Sequence, residues 1–117
     1  MSLKHFEQMF DAGAVDVAQP SVTKIGGVSE MMRIAKLARE RGVRLVPHSP
    51  YFGPGLLATL HMAATFEHET MIEISFMELG ASPLGDAVKP KNGEIAVPQG
   101  PGLGCDPDPE ILEKYRV

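Results

Sequence analysis

The sequence predicts an α/β fold built on parallel strands. Helix-like and strand-like segments alternate along the chain, short connections join them, and apolar residues fill the strand-like segments. A hairpin cannot close a parallel pair, so each connection has to be a right-handed helical crossover. Three predicted strands cannot close a barrel by themselves. We therefore expect either a small open sheet or a part of something larger.

An amphipathic helix opens the chain, because apolar residues recur there at helical spacing and Gly13 follows them as a stop signal. These apolar residues are Leu3, Phe6, Met9 and Phe10. The run AVDVAQP, residues 14–20, is short and β-rich, and it predicts the first strand.

The strongest helix prediction covers residues 26–42, where one face is apolar and two arginines in the last turn favour the helix dipole. The apolar face consists of Val28, Met31, Ile34, Ala35 and Ala38. VRLVP, residues 43–47, predicts the second strand, and residues 53–66 predict a second crossover helix. MIEISF, residues 71–76, predicts the third strand. Stripes of leucine and methionine predict the core: Met31, Met32, Leu37, Leu56, Leu57, Leu60 and Met62.

The composition changes at Gly80, after which Pro and Gly are dense. We divide a single domain, 1–117, into βα units over 1–79 and a Pro/Gly-rich tail over 80–117. Within the tail, Asn92 and Gly93 predict a tight turn between two short extended pieces. Asp108 and Pro109 predict the N-cap and first position of a last short helix.

Charge and composition exclude several classes of protein. Eleven Lys and Arg against 15 Asp and Glu give a net charge of −4, with no basic block, so we expect neither nucleic acid nor an anionic membrane as partner. The single cysteine, Cys105, excludes a disulfide framework within the chain. No apolar run approaches the roughly 20 residues that span a bilayer. We expect a cytoplasmic protein.

Three polar residues fall at comparable places along the predicted strands. Ser21 lies just past the first strand, His48 at the end of the second, and Glu73 inside the third. Such positions converge on one rim of a parallel sheet, where a carboxylate near an imidazole can act as acid, base or ligand. The alternative for His48 is a strand-end histidine bonded to a neighbouring carbonyl. Since a carboxylate between two isoleucines is costly to bury alone, Glu73 either points into a polar centre or faces water at an edge.

Weaker signals point elsewhere. Thr23 precedes KIGG, and a glycine pair at a helix start can bind phosphate through free amides or can serve close packing. Asp16 begins its strand and so lies on the opposite rim, where we expect a structural contact. His5, His61 and His68 are predicted to be helix-face or loop residues without function.

The segments DVAQPSVTKIGGVSEMMRIAKLARERGVRLVPHS, GPGLLATLHMAA, IE and VPQGPGLGCDPD occur in this order. Together they resemble the C-terminal part of the mandelate racemase and muconate lactonizing enzyme group of the enolase superfamily. The resemblance runs from about Phe6 to Tyr115. It implies a partial (β/α)-barrel with strands equivalent to the sixth, seventh and eighth. The tail would return toward an α+β capping domain that this sequence lacks.

The resemblance also implies a reaction. Family members remove the proton next to a substrate carboxylate and stabilise the enediolate with Mg²⁺, held by three carboxylates on earlier strands. An acid-sugar dehydratase or a racemase/epimerase is implied, with a carboxylate or acid-sugar substrate. His48 matches the acid/base histidine, and Glu73 matches a glutamate that contacts the substrate. Ser21 stands where the mandelate racemase type has an aspartate paired with that histidine.

The metal carboxylates and the second-strand lysine base are missing here, so we expect Mg²⁺ in the complete family enzyme and none bound to this chain alone. We expect no turnover from the isolated chain. Two alternatives stay open: a truncated remnant with a structural or binding role, and a phosphate-binding βα unit of another barrel. Because a three-stranded sheet leaves unpaired edges and an uncovered apolar face, we also expect a homo-oligomer.

Overall fold

The computed structural model describes residues 1–66 and 70–117. Its helices and strands are α1 (Leu3–Asp11), β1 (Val17–Ala18), α2 (Val28–Glu40), β2 (Arg44–Leu45), α3 (Pro54–Ala63), a 3₁₀ helix (Gly85–Val88) and α4 (Pro109–Lys114). This order confirms the α/β class and the alternation of elements. The prediction for His68 lies outside the described residues.

The sheet is a parallel pair, β1 and β2, with Val17 opposite Arg44 and Ala18 opposite Leu45. α2 connects the two strands, as a parallel pair requires. The hydrogen-bond ladder continues past the strands, because the His48 N–H donates to the Pro20 carbonyl at 3.0 Å. This bond places His48 beside the carboxyl end of β1.

The third predicted strand is present as a single parallel bridge between His48 and Glu73. The Glu73 N–H donates to the Pro47 carbonyl at 3.0 Å, and the Ser49 N–H donates to the Glu73 carbonyl at 2.9 Å. Prolines at 47 and 50 flank this bridge and have no N–H to extend it. The Ser49 carbonyl accepts from Tyr51 instead. The expectation of a strand over all of residues 71–76 was therefore too long.

The core lies where α1 and α2 pack against the sheet. Its buried members are Phe6, Phe10, Ala18, Val22, Ile25, Met31, Ile34, Ala38 and Met62. The predicted stripes are confirmed at Met31 and along α3, where Leu56, Leu57, Leu60 and Met62 are buried. Val28 and Met32 are exposed instead. They are four residues apart, so they share one side of α2, next to the buried stripe.

The tail has ordered local structure. Lys91 and Glu94 form an antiparallel bridge around Asn92 and Gly93, whose φ angles are 54° and 83°. This is the two-residue turn that the Asn-Gly pair predicted. The Asp108 side chain caps α4 by accepting from the Glu110 N–H at 2.8 Å, as predicted. Within the described ranges, no helix has the length and apolar character needed to cross a membrane.

Candidate active site

The predicted imidazole and carboxylate meet at the carboxyl ends of the strands. The parallel bridge sets the two backbones side by side, and the His48 Nδ1–H donates to Glu73 Oε2 at 2.5 Å. Gln19 Nε2 donates to the same oxygen at 3.4 Å. The side chains are 30 % and 44 % exposed, so this contact contributes little to stability in water. Its main effect is to orient the ring.

This orientation decides which nitrogen can exchange protons. With Nδ1–H donating to Glu73, a neutral imidazole has its lone pair on Nε2. No hydrogen bond to Nε2 forms among residues 1–66 and 70–117. His48 is therefore arranged to accept or donate a proton through Nε2.

A buried hydroxyl pair anchors the turn that carries His48. Ser49 Oγ donates to Thr59 Oγ1 at 3.0 Å, and Thr59 Oγ1 donates to the Gly55 carbonyl at 2.8 Å. Both side chains are fully buried. Because each buried hydroxyl has a partner, the strand end is fixed against α3 at no cost in unsatisfied polar groups.

Ser21 lies at the same rim but faces a different partner. Its hydroxyl is buried, at 4 % exposure, and hydrogen-bonds the Tyr51 phenol and Thr23 Oγ1, the latter at 3.2 Å. Neither His48 nor Glu73 is among its hydrogen-bond partners in the described part of the chain. The structure thus brings two of the three predicted residues, His48 and Glu73, into contact. The third, Ser21, hydrogen-bonds Tyr51 instead.

Sequence reasoning missed Tyr51. Its ring meets the His48 ring edge-on, with centroids 6.3 Å apart. Burial raises the pKa of the Tyr51 phenol, but hydrogen bonding by Ser21, the nearby Thr23 hydroxyl and the positive charge of Lys24 outweigh it, so the pKa lies below its ordinary value. The available signal was an aromatic hydroxyl three residues after His48, in the same strand-end turn.

Other predicted residues have structural contacts. The Asp16 carbonyl accepts from the Arg44 N–H at the start of the ladder, on the opposite rim. His5 caps α1 through Ser2, and His61 Nε2 donates to the Leu103 carbonyl at 3.0 Å. The N–H groups of Lys24 and Ile25 donate to the Ser21 carbonyl and that of Gly27 to the Val22 carbonyl, so three of the four amides of the KIGG segment are occupied. Phosphate binding there stays a prediction.

The donor set does not fit a magnesium site. In the described residues no three or more His, Cys, Asp or Glu side chains come together in a group that could hold a metal ion. His48 and Glu73 supply two donors that are bonded to each other. Magnesium requires near-octahedral oxygen coordination, which this pair cannot provide.

A comparison with protein families identifies the family of this chain. The model of the family described as enolase C-terminal domain-like matches residues 1–111. The chain belongs to this family. Resemblance to the mandelate racemase group is thereby confirmed at the level of the family.

Two curated relatives illustrate the enzymes that this chain is similar to. The chain is 35 % identical to the D-galactarolactone cycloisomerase of Agrobacterium fabrum, over 94 % of this chain and 32 % of that protein. It is 33 % identical to the arabinonate dehydratase of Saccharolobus solfataricus, over 95 % and 30 %. These family members are acid-sugar dehydratases and cycloisomerases. The chain spans about a third of the length of the curated relatives it matches.

A solved structure gives the same fold. The mandelate racemase/muconate lactonizing protein from Paracoccus denitrificans, complexed with magnesium, is 30 % identical, with a TM-score of 0.81. The match covers 97 % of this chain and 31 % of that one. Magnesium therefore occurs in the family, in a chain about three times as long as the matched part.

Proposed function

We propose that this chain forms the sixth to eighth strand region of a (β/α)-barrel in a cytoplasmic enzyme that removes the proton next to the carboxylate of an acid sugar. The family match supports the reaction type. The observation that carries the proposal is the contact of His48 Nδ1 with Glu73 Oε2 at the carboxyl ends of the strands. In barrel enzymes this end of the strands carries the catalytic residues.

His48 serves as general acid or base through Nε2. The Glu73 carboxylate fixes the ring and stabilises the imidazolium that forms when Nε2 takes a proton. Glu73 is the orienting group of the pair, because its carboxylate accepts from the His48 ring. The described residues do not themselves form a site for magnesium.

The rest of the barrel has to come from outside the described residues. Glu73 pairs with His48, past the end of β2, on one side, and Phe76 nearby is 96 % exposed. An apolar edge of this kind is normally covered by further strands or by another chain. We propose that the tail packs toward a capping domain and that, where these parts are absent, copies of the chain associate.

A graft tests the catalytic assignment. This chain replaces the matching C-terminal third of the Agrobacterium cycloisomerase, and turnover of D-galactarolactone is measured. We expect His48→Asn to lower kcat by about 10²-fold or more, the usual contribution of a positioned acid or base. His5→Gln is the matched control, because His5 is an exposed histidine on α1, away from the strand ends.

Three results decide the proposal. Full turnover after His48→Asn contradicts the acid/base role. Magnesium-dependent dehydration of acid sugars by the isolated 117 residues, lost in His48→Ala, contradicts the need for the other barrel strands. A folded graft without any turnover favours the second candidate, a remnant with a binding or structural role. The observation behind that candidate is that the described residues provide no metal-binding cluster.

A further inference from the structure

We propose that Tyr51 is a second proton-donating residue of this site, and that Ser21 and Thr23 connect its phenol to solvent. The proposal rests on the proposed function and adds a residue to the same site. Its basis is the row of three hydroxyls, Thr23, Ser21 and Tyr51, at the rim that carries His48.

The row has one favourable order of donors. Ser21 is buried and has a single hydroxyl proton, so it can donate to one neighbour while it accepts from the other. Thr23 is exposed and can exchange with water. If Thr23 donates to Ser21 and Ser21 donates to Tyr51, the phenolic proton is left to donate to a ligand. This order also satisfies the buried hydroxyl, which would otherwise be costly.

Tyr51 lies between the acid–base pair and a cavity. One edge of its ring meets the His48 ring at a centroid distance of 6.3 Å. The same side chain lines a cavity of about 350 Å³, together with Phe52, Leu56 and Ile74. A cavity of this size can hold part of a small polar ligand. The Tyr51 side chain therefore borders both the His48 ring and this cavity.

The backbone makes room for this arrangement at Gly55. A Cβ atom at that position would come within 2.7 Å of Thr23 Cγ2 and 3.2 Å of Tyr51 Cδ2. The first turn of α3 thus packs directly against two members of the row. Any larger residue at 55 would push Thr23 and Tyr51 apart. This close approach is independent of the hydrogen bonds and fixes the same two side chains.

In a dehydration the proton transfers balance as follows. His48 Nε2 takes the proton next to the carboxylate and releases it to solvent at the end of the cycle, and the electron pair of that C–H bond forms the enediolate. The enediolate then collapses to a C=C bond and expels the β-hydroxyl, whose oxygen takes the bond pair and the Tyr51 proton and leaves as water. The phenolate regains a proton from Ser21, Ser21 from Thr23, and Thr23 from solvent. Hydrogen bonds that stabilise phenolate make Tyr51 a better acid for this step.

Tyrosine absorbance tests the row in the 117-residue chain itself. The sequence has two tyrosines and no tryptophan, so Tyr115→Phe leaves Tyr51 as the sole source of the phenolate signal. We expect Tyr51 to ionise at a lower pH than Tyr115 does in the Tyr51→Phe variant. Ser21→Ala should raise the pKa of Tyr51. Identical titration of the two tyrosines, or no response to Ser21→Ala, overturns the proposal.

The donor role is tested in a second graft, in which this chain replaces the matching segment of the Saccharolobus arabinonate dehydratase and turnover of arabinonate is measured. We expect Tyr51→Phe to lower kcat by about 10²-fold with little change in KM, because the ring still packs and one proton is missing. Tyr115→Phe is the control and should change neither constant. Unchanged kcat in Tyr51→Phe overturns the donor role. Full turnover in His48→Asn is a separate result: it removes the proposed function, whereas the titration still decides whether the hydroxyl row exists.

Discussion

The two parts of the molecule on either side of residues 67–69 bury their side chains very differently. Residues 1–66 contain a continuous apolar core between α1, α2 and the sheet, with Met31 and Ile34 fully buried. In residues 70–117, Leu84 is the one described residue that is buried. The first part closes its own core. The second part relies on local hydrogen bonds, such as the Lys91 N–H to the Glu94 carbonyl at 2.8 Å.

This difference shows that local order can form without tertiary burial. Turns and caps need a few neighbouring residues, so the Asn92–Gly93 turn and the α4 cap form without a core around them. Apolar side chains in the same region are exposed, and they mark a surface of a kind usually covered by other protein. These exposed residues include Met71, Phe76, Met77, Leu79, Leu103 and Leu112.

The largest expected effect is on the free energy of unfolding, which should respond to a core substitution in the first part and not to an exposed one in the second. Ile34→Ala deletes buried methyl groups from the core and should cost about 2–5 kcal/mol in free energy of unfolding. Phe76→Ala, in the exposed second part, should change it by less than about 0.5 kcal/mol. Urea denaturation of both variants measures the two values. Equal destabilisation would mean that the second part has a buried core of its own.

A second prediction concerns association. If exposed apolar residues of the second part are covered by another copy, Phe76→Asp should weaken self-association, since burying a phenylalanine contributes about 1.5–3 kcal/mol. Sedimentation at micromolar concentration measures the distribution of species. Met32→Asp is the control, an exposed methionine on α2 in the first part. A wild-type chain that sediments as a single monomer contradicts the expectation of a homo-oligomer.

A third prediction tests local order in the tail. Asp108→Ala removes the side chain that caps α4 and should destabilise that helix by about 1 kcal/mol. Hydrogen exchange at the Glu110 and Ile111 amides should become faster, whereas exchange in α2 should stay unchanged. Asp106→Asn alters an exposed carboxylate that precedes the cap and serves as the control. Unchanged exchange at both amides would show that the cap adds nothing.

The same contrast explains what could be predicted from the sequence. Helices, the tight turn and the α4 cap depend on local spacing, and all are present where expected. The His48–Glu73 contact was predictable in outline, because parallel strands end at one rim. The length of the third strand was not predictable, since it depends on which N–H groups of residues 47–50 face it, and Pro47 and Pro50 have none.

The partner of Ser21 was equally beyond the reach of sequence patterns. Its hydroxyl could have bonded His48, and it bonds Tyr51 because the turn after β2 folds the phenol back over the end of β1. That choice depends on Gly55 leaving space for the ring, 34 positions along the chain from Ser21. A pattern of residue types does not reveal that two positions so far apart in the chain are in contact.

The smallest expected effect comes from the ion pair of the 3₁₀ helix. Lys89 hydrogen-bonds Asp86 and holds the pKa of that carboxyl below its ordinary value of 3.8. A lowered pKa in the folded state adds stability above pH 3.8, and this stability is lost as the pH falls through the folded value. Asp86→Asn should therefore lower the melting temperature slightly near neutral pH and not at all in strong acid. Because both side chains are exposed, 1 M salt should remove the difference, and a difference that survives salt would indicate that this part of the tail is covered by another chain.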